Sequence, residues 1–300
     1  MKKSLIALVI VIIVGLGIYL VSTNTSNKTG EVSNNETNTE TLPASEHEGV
    51  KNAGPEESIG KSKEGRDIMA YHFGTGETEL LFVGGIHGGY SWNTALVAFE
   101  LVDYLKQNPE VVPANVKVTV IPVLNPDGLN KVAGTGGRFT PAQVSKDTAV
   151  VTSGRFNANN VDLNRNFDCD WKSSGVWQSK TVSGGTSVFS EPESAAIKSY
   201  VDKNEIAGVV AWYSSAGGVY ASSCHNGVSA ETTKLTTTFA KASGYPAFQE
   251  FNFYEITGDM VNWFAKNNVP AVSVLLTNHT DTEWAKNKAG IEAVIKSFAK

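Results

Sequence analysis

His87, Asp127, Tyr213 and Asn278 each stand at or just beyond the end of a short apolar run. Each side chain can ligate a metal, move a proton or hydrogen-bond a ligand. One imidazole does not make a metal site, because protein zinc sites supply three or four ligands and catalytic ones keep a position open to water. Around His87 the chain offers Gly88, Gly89 and Tyr90, with no acid or thiol at ligand spacing. His225 and His279 are further candidate ligands, and only Cys224 stands at ligand spacing beside them.

The runs that carry these residues alternate with helical patterns. Leu80 to Val83 ends in Gly-Gly before Ile86-His87-Gly88-Gly89, and from Ser91 the apolar residues Ala95, Ala98, Leu101, Val102 and Leu105 recur at helical spacing. Val116 to Leu124 reads as a second strand, stopped by Asn125-Pro126-Asp127-Gly128, which starts a loop. Glu191 to Val201 reads as a helix opened by Ser190 with Glu193 as its capping-box partner, leading into the strand Ala207 to Trp212. Thr233–Ala242 and Val261–Lys266 read as helices, Ala271–Thr277 as a buried strand and Gly290–Ala299 as a closing helix. This alternation predicts a three-layer α/β/α domain with a largely parallel sheet and working residues at the carboxyl ends of its strands.

The N-terminus has a different character. Lys2 and Lys3 precede an apolar run from Leu5 to Val21, which as a helix covers about 26 Å, close to a bilayer's hydrocarbon thickness. The run reads as an uncleaved transmembrane anchor (1–22) with a cytoplasmic N-terminus, in preference to a cleaved signal peptide. Residues 23–56, rich in Ser, Thr, Asn and Glu, read as a disordered stalk, and 57–300 as one domain. That topology makes the chain a single-pass membrane protein with an extracytoplasmic C-terminal domain. Cys169 and Cys224 then lie where disulfides persist, and they are expected to pair; two independent buried thiols are the alternative. Asn24, Asn27, Asn35 and Asn278 sit in glycosylation sequons. A net charge of −5 without a basic cluster gives no footprint for nucleic acid.

Four segments in order resemble the signatures of the zinc carboxypeptidases of the carboxypeptidase A type: Gly85-Ile86-His87-Gly88-Gly89, Asn125-Pro126-Asp127-Gly128, Asp162-Leu163-Asn164-Arg165-Asn166-Phe167, and Tyr254-Glu255-Ile256-Thr257-Gly258 through Asn262-Trp263. The resemblance runs from about Ser58 to the C-terminus and implies a twisted mixed sheet of about eight strands between helices. It also implies a zinc ion on three protein ligands, a glutamate base, and cations for the substrate carboxylate and the oxyanion. Of the ligands His87 survives, while Tyr90 and Tyr213 occupy the other two ligand positions and Leu275 stands at the general-base position. Tyrosine, with a pKa near 10, gives up its proton to a metal at a cost, and leucine cannot act as a base.

The resemblance places Asn164 and Arg165 as the clamp on a peptide's terminal carboxylate, Arg155 as the oxyanion-stabilising arginine, and Tyr254 as the tyrosine that covers bound substrate. The expectation is therefore a binding module for peptides with a free C-terminal carboxylate, cell-wall stem peptides among them, with no tightly bound zinc and catalysis lost. Two alternatives stand beside it. One is an active zinc-dependent carboxypeptidase with a rebuilt ligand set, its displaced base drawn from Glu255, Asp259, Asp281 or Glu283. The other is a structural envelope domain.

Overall fold

The computed structural model describes residues 55–300. In chain order its elements are β1 (Glu56–Lys61), β2 (Asp67–Phe73), β3 (Thr78–Val83), α1 (Trp92–Gln107), β4 (Val116–Ile121), α2 (Pro126–Ala133), α3 (Thr148–Ser153), β5 (Ser174–Trp177), β6 (Lys180–Ser183) and α4 (Pro192–Val201). They continue with β7 (Ile206–Ser214), β8 (Gly218–Ala221), α5 (Ala230–Ser243), β9 (Ala247–Phe248), α6 (Met260–Lys266), β10 (Ala271–Leu276) and α7 (Trp284–Ser297). Eight strands form one sheet in the order β1-β2-β4-β3-β7-β10-β8-β9, and β5 pairs with β6 in a separate hairpin.

The sheet is mixed, with parallel pairing concentrated at its centre. β4, β3, β7 and β10 are mutually parallel, whereas β1 with β2, β2 with β4, and β10 with β8 are antiparallel. The four central strands therefore end at one edge, which is where His87, Tyr213 and Leu275 stand.

Both faces of the sheet are covered, so the central strands are apolar on consecutive residues and show no clean alternation. Alternate side chains still go to opposite faces. Leu80, Phe82, Val210, Trp212, Val272 and Val274 pack with Leu101 and Leu105 of α1, Phe239 of α5 and Ile291 of α7. Leu81, Val83, Val209, Ala211, Tyr213 and Leu275 pack on the other face with Ile197 of α4 and Met260 and Phe264 of α6. Tyr213 and Leu275 are register partners across β7 and β10.

Several local expectations change. The predicted anchor (1–22) lies outside the described residues, as does the stalk (23–56) up to the point where β1 begins at Glu56. Among the described residues no helix is long and apolar enough to cross a membrane. Asn125-Pro126-Asp127-Gly128 opens a helix instead of a loop: Pro126 supplies the first-turn φ, and Asn125 Oδ1 accepts from Gly128 N at 2.8 Å. Asp127 is not a site residue; it ties down the β1–β2 hairpin by accepting from Ser62 Oγ at 2.6 Å, Glu64 N at 2.9 Å and Arg66 Nη1 at 2.6 Å. Ser190 does not cap α4, which starts at Pro192 behind Glu191. The buried Glu193 accepts from Lys63 N and Asn157 Nδ2, so it serves tertiary contacts and no capping box.

Cys169 and Cys224 form a disulfide across a sequence separation of 55 residues, with Cα atoms 6.1 Å apart. Closing a loop of that length removes about 4 kcal/mol of denatured-state freedom in the chain-entropy account. Urea unfolding of a Cys169→Ser/Cys224→Ser variant should show a loss of about that size, and unchanged stability would show that the bridge does not constrain the unfolded chain.

Candidate functional site

His87 and Arg155 meet because two loops touch backbone to backbone. Gly89 N donates to Gly154 O at 3.1 Å. Gly88 has φ +42°, and a Cβ there would lie 2.7 Å from Gly154 O and 2.8 Å from the Gly128 carbonyl carbon, so no other residue fits. The turn after β3 is thereby pressed onto α2 and onto the residue before Arg155.

Arg155 is 2 % exposed. Its Nε and Nη2 both donate to Asp162 Oδ2, at 2.9 and 2.7 Å, and its guanidinium lies 4.3 Å from the centre of the Trp177 ring. Burial alone would raise the Asp162 pKa, but the Arg155 charge, with His87 and Arg165 close by, holds that carboxylate well below its ordinary range. His87 Nε2 lies 3.4 Å from Asp162 Oδ1 without the geometry of a hydrogen bond, and neither of its ring nitrogens has a partner. Burial first, and then the Arg155 charge, push the imidazole pKa down to about 4, against the pull of Asp162.

Asn164 and Arg165 sit in a helical turn, Leu163–Arg165, capped by Asp162, whose Oδ1 accepts from Asn164 N at 3.1 Å. Asn164 Oδ1 accepts from Tyr213 Oη at 3.2 Å and from Met260 N at 3.1 Å, and its Nδ2 donates to Asp259 Oδ2 at 2.7 Å. Asp259 also caps α6, and burial raises its carboxyl pKa. Arg165, 1 % exposed, donates through Nη1 to Asn164 O at 2.8 Å and through Nη2 to Val176 O at 2.7 Å, while its Nε has no partner. Tyr254 lies over it, with the ring centre 5.8 Å from the guanidinium. Gly258, at φ +63°, seats that segment: a Cβ there would stand 2.3 Å from Arg165 O.

These groups surround a cavity of 310 Å³ whose lining includes His87, Arg155, Asn164, Tyr213, Tyr254 and Leu275. Of the predicted clamp, Asn164 reaches the cavity wall and Arg165 stands behind it, under Tyr254. The remaining candidates scatter. His225 pairs with Asp170 at 3.2 Å on the surface, Glu255 with Lys172 at 2.6 Å, and Asn278 makes a local turn by accepting from Thr280 N and Asp281 N. Glu283 accepts from Thr277 N at 2.7 Å, and its pKa falls to about 2 as hydrogen bonds outweigh burial. His279 lies beside Tyr90, ring centres 4.6 Å apart. Trp177, which roofs Arg155, gave no sequence signal because it stands in a short hairpin with no periodic pattern.

The residues at the metal position do not fit zinc. Burial raises the phenol pKa of Tyr90 and pushes that of Tyr213 well above its ordinary value, so both stay protonated at neutral pH. The carboxylate nearest His87, Asp162, is taken by Arg155. Among the described residues, the one close cluster of three groups of ligand type is Cys169, Asp170 and Cys224, and its two sulfurs are bonded to each other. Protein purified without a chelator or histidine tag should carry far less than one zinc per chain by plasma mass spectrometry. Near-stoichiometric zinc would restore ligand roles to Tyr90 and Tyr213.

His87 also predicts a pH dependence. Between about pH 6.5 and pH 4 the unfolded imidazole is protonated while the folded one stays neutral, so the unfolded chain binds more protons and stability is lost as pH falls through that window. The full loss is about 3 kcal/mol. Denaturant titrations from pH 7 to pH 4 should show it, and a His87→Leu variant should lack that component; an equal slope in both would place the effect elsewhere.

Comparison with known proteins agrees with this architecture. The family model described as zinc carboxypeptidase matches residues 55–283. Carboxypeptidase Z of Rattus norvegicus is 33 % identical over 123 residues, which is 37 % of this chain and 18 % of that protein, so the chain spans only a small part of the curated relatives it matches. Among solved structures, murein-tripeptide amidase MpaA from Escherichia coli O157 superposes with TM-score 0.57 at 21 % identity, covering 85 % of this chain and 96 % of that one. Carboxypeptidase A from Helicoverpa armigera gives TM-score 0.62 at 19 % identity, covering 81 % and 66 %. With the mixed eight-stranded sheet, the strand-end loops and the family match over most of its length, the chain belongs to the zinc carboxypeptidase family.

Proposed function

We propose that the domain binds peptides by their free C-terminal carboxylate and does not cleave them. The observation that carries this reading is Arg165: a guanidinium buried beside the cavity, hydrogen-bonded only to two backbone carbonyls, with Nε left unpartnered. Asp162 and Asp259 are near enough to feel its charge but neither touches it, and a ligand carboxylate would supply a direct charge-assisted hydrogen bond. Tyr254, half-buried over that guanidinium, moves aside to admit it. The loss of cleavage follows from the chemistry of Tyr90, Tyr213 and Leu275. None of the candidate replacement bases is oriented by His87, which weighs against a rebuilt catalytic set.

The ligand class is peptides, and cell-wall stem peptides are the natural source if the domain faces outward from an anchor at residues 1–22. The Cys169–Cys224 disulfide supports that extracytoplasmic placement.

Calorimetric titration of the full chain with tripeptides and with their C-terminal amides tests the reading. The acids should bind at least about tenfold tighter, as expected for a charge-assisted pair. Arg165→Lys, which keeps the charge but loses the fork, should lower that ratio. Equal affinity of acid and amide for the native chain would leave a structural domain whose old pocket binds nothing.

A further inference from the structure

The disulfide stands beside two side chains that the carboxylate cavity does not use. Asp170 follows Cys169 and His225 follows Cys224. Each has a left-handed backbone, φ +52° and +66°, so the chain turns sharply straight after each cysteine. Asp170 stands between the other groups: its Oδ1 lies 3.2 Å from His225 Nε2, and its Oδ2 lies 3.8 Å from Cys169 Sγ. The ligand-type atoms of Cys169, Asp170 and Cys224 fall within 4.8 Å of one another. Asp170 and His225 are exposed, while the buried Cys224 forms part of the wall of a 410 Å³ surface cavity with Asn226, Gly227 and Asn268. Four groups thus converge from two segments, and a small molecule has a path to the sulfur.

We infer that Cys169, Cys224, Asp170 and His225 form a zinc site when the disulfide is reduced, so that the metal and the S–S bond are alternative closures of the same loop. The oxidised chain offers no thiolate here, and Asp170 with His225 supplies only two ligands, too few to hold zinc tightly. A dithiol that reaches Cys224 through the cavity attacks the disulfide. Its two electrons and two protons pass to the cysteine sulfurs, and it leaves as its own disulfide. Zinc then displaces those two protons and takes both thiolates, the Asp170 carboxylate and the His225 imidazole. Two sulfurs, one oxygen and one nitrogen are the donor types of tetrahedral zinc. Sulfurs bonded to one zinc stand about 3.8 Å apart, at about 2.3 Å each from the ion. With the Cα atoms 6.1 Å apart, rotation of the two cysteine side chains provides that separation. Reoxidation rebuilds the S–S bond and expels the ion. The site is separate from His87, Tyr90 and Tyr213 and does not depend on carboxylate capture.

The test titrates Zn²⁺ into the full chain, oxidised or reduced with a water-soluble phosphine under anaerobic conditions, against a chromophoric zinc chelator. The reduced chain should take up one zinc per chain at least about a hundredfold more tightly than the oxidised one. Co²⁺ in place of zinc should give the visible absorption of thiolate-bound tetrahedral cobalt in the reduced chain only. Asp170→Asn and His225→Ala change exposed side chains and leave both cysteines in place; each should weaken zinc binding by the reduced chain at least about tenfold. Native affinity in both variants would reduce the site to a pair of thiolates and overturn the proposal. A reduced chain that holds zinc no more tightly than the oxidised one, folded or unfolded, would overturn it as well. So would undiminished binding by a Cys169→Ser/Cys224→Ser variant, which would put the metal elsewhere.

Discussion

The buried pair of Arg155 and Asp162 is the contact on which the rest of the site depends. Both side chains are almost wholly removed from water, so neither charge is tolerable without the other. Breaking such a pair from one side costs about 3–5 kcal/mol. Asp162 meanwhile holds the turn that carries Asn164 and Arg165, and Arg155 supports the Trp177 ring. One pair thus sets the position of the turn that carries Asn164 and Arg165 and of the Trp177 ring, while the Arg155 charge, after burial, lowers the affinity of His87 for protons.

Tyr90 and Tyr213 both take part in the packing of the site. Tyr213 points from β7 into the lower core beside Leu275, and its hydroxyl donates to Asn164. Its phenol therefore joins the network that ties β7 to α6 through Asn164 and Asp259. Tyr90 instead stays near the surface and contributes a ring. The same residue type serves as a core hydrogen-bond donor at Tyr213 and as a half-buried aromatic face at Tyr90.

Much of this was legible in the residues. The central strands and α1 announced themselves because both sheet faces are covered and α1 buries a regular stripe. The paired cysteines and the segments around His87, Arg165 and Tyr254 placed the cavity. Of the β1–β2 hairpin, β1 stayed hidden because it is mostly polar and none of its residues is buried. The helix at Pro126 was read as a loop because proline and glycine that begin a helix look locally like a turn. Arg165's retreat behind Tyr254 depends on side-chain directions that spacing does not encode, and Trp177 entered the site by tertiary packing.

The disulfide has a further consequence for how the domain behaves once cut. Gln178 to Lys180, the exposed tip of the β5–β6 hairpin, lies inside the loop that Cys169 and Cys224 close. A protease that nicks this tip severs the backbone without separating the pieces. The N-terminal part, with His87, Arg155 and Arg165, stays covalently fastened to the part bearing Tyr254, and β3 and β7 remain hydrogen-bonded neighbours in the sheet. A nicked molecule would migrate as intact until reduced, and would persist as a two-chain protein.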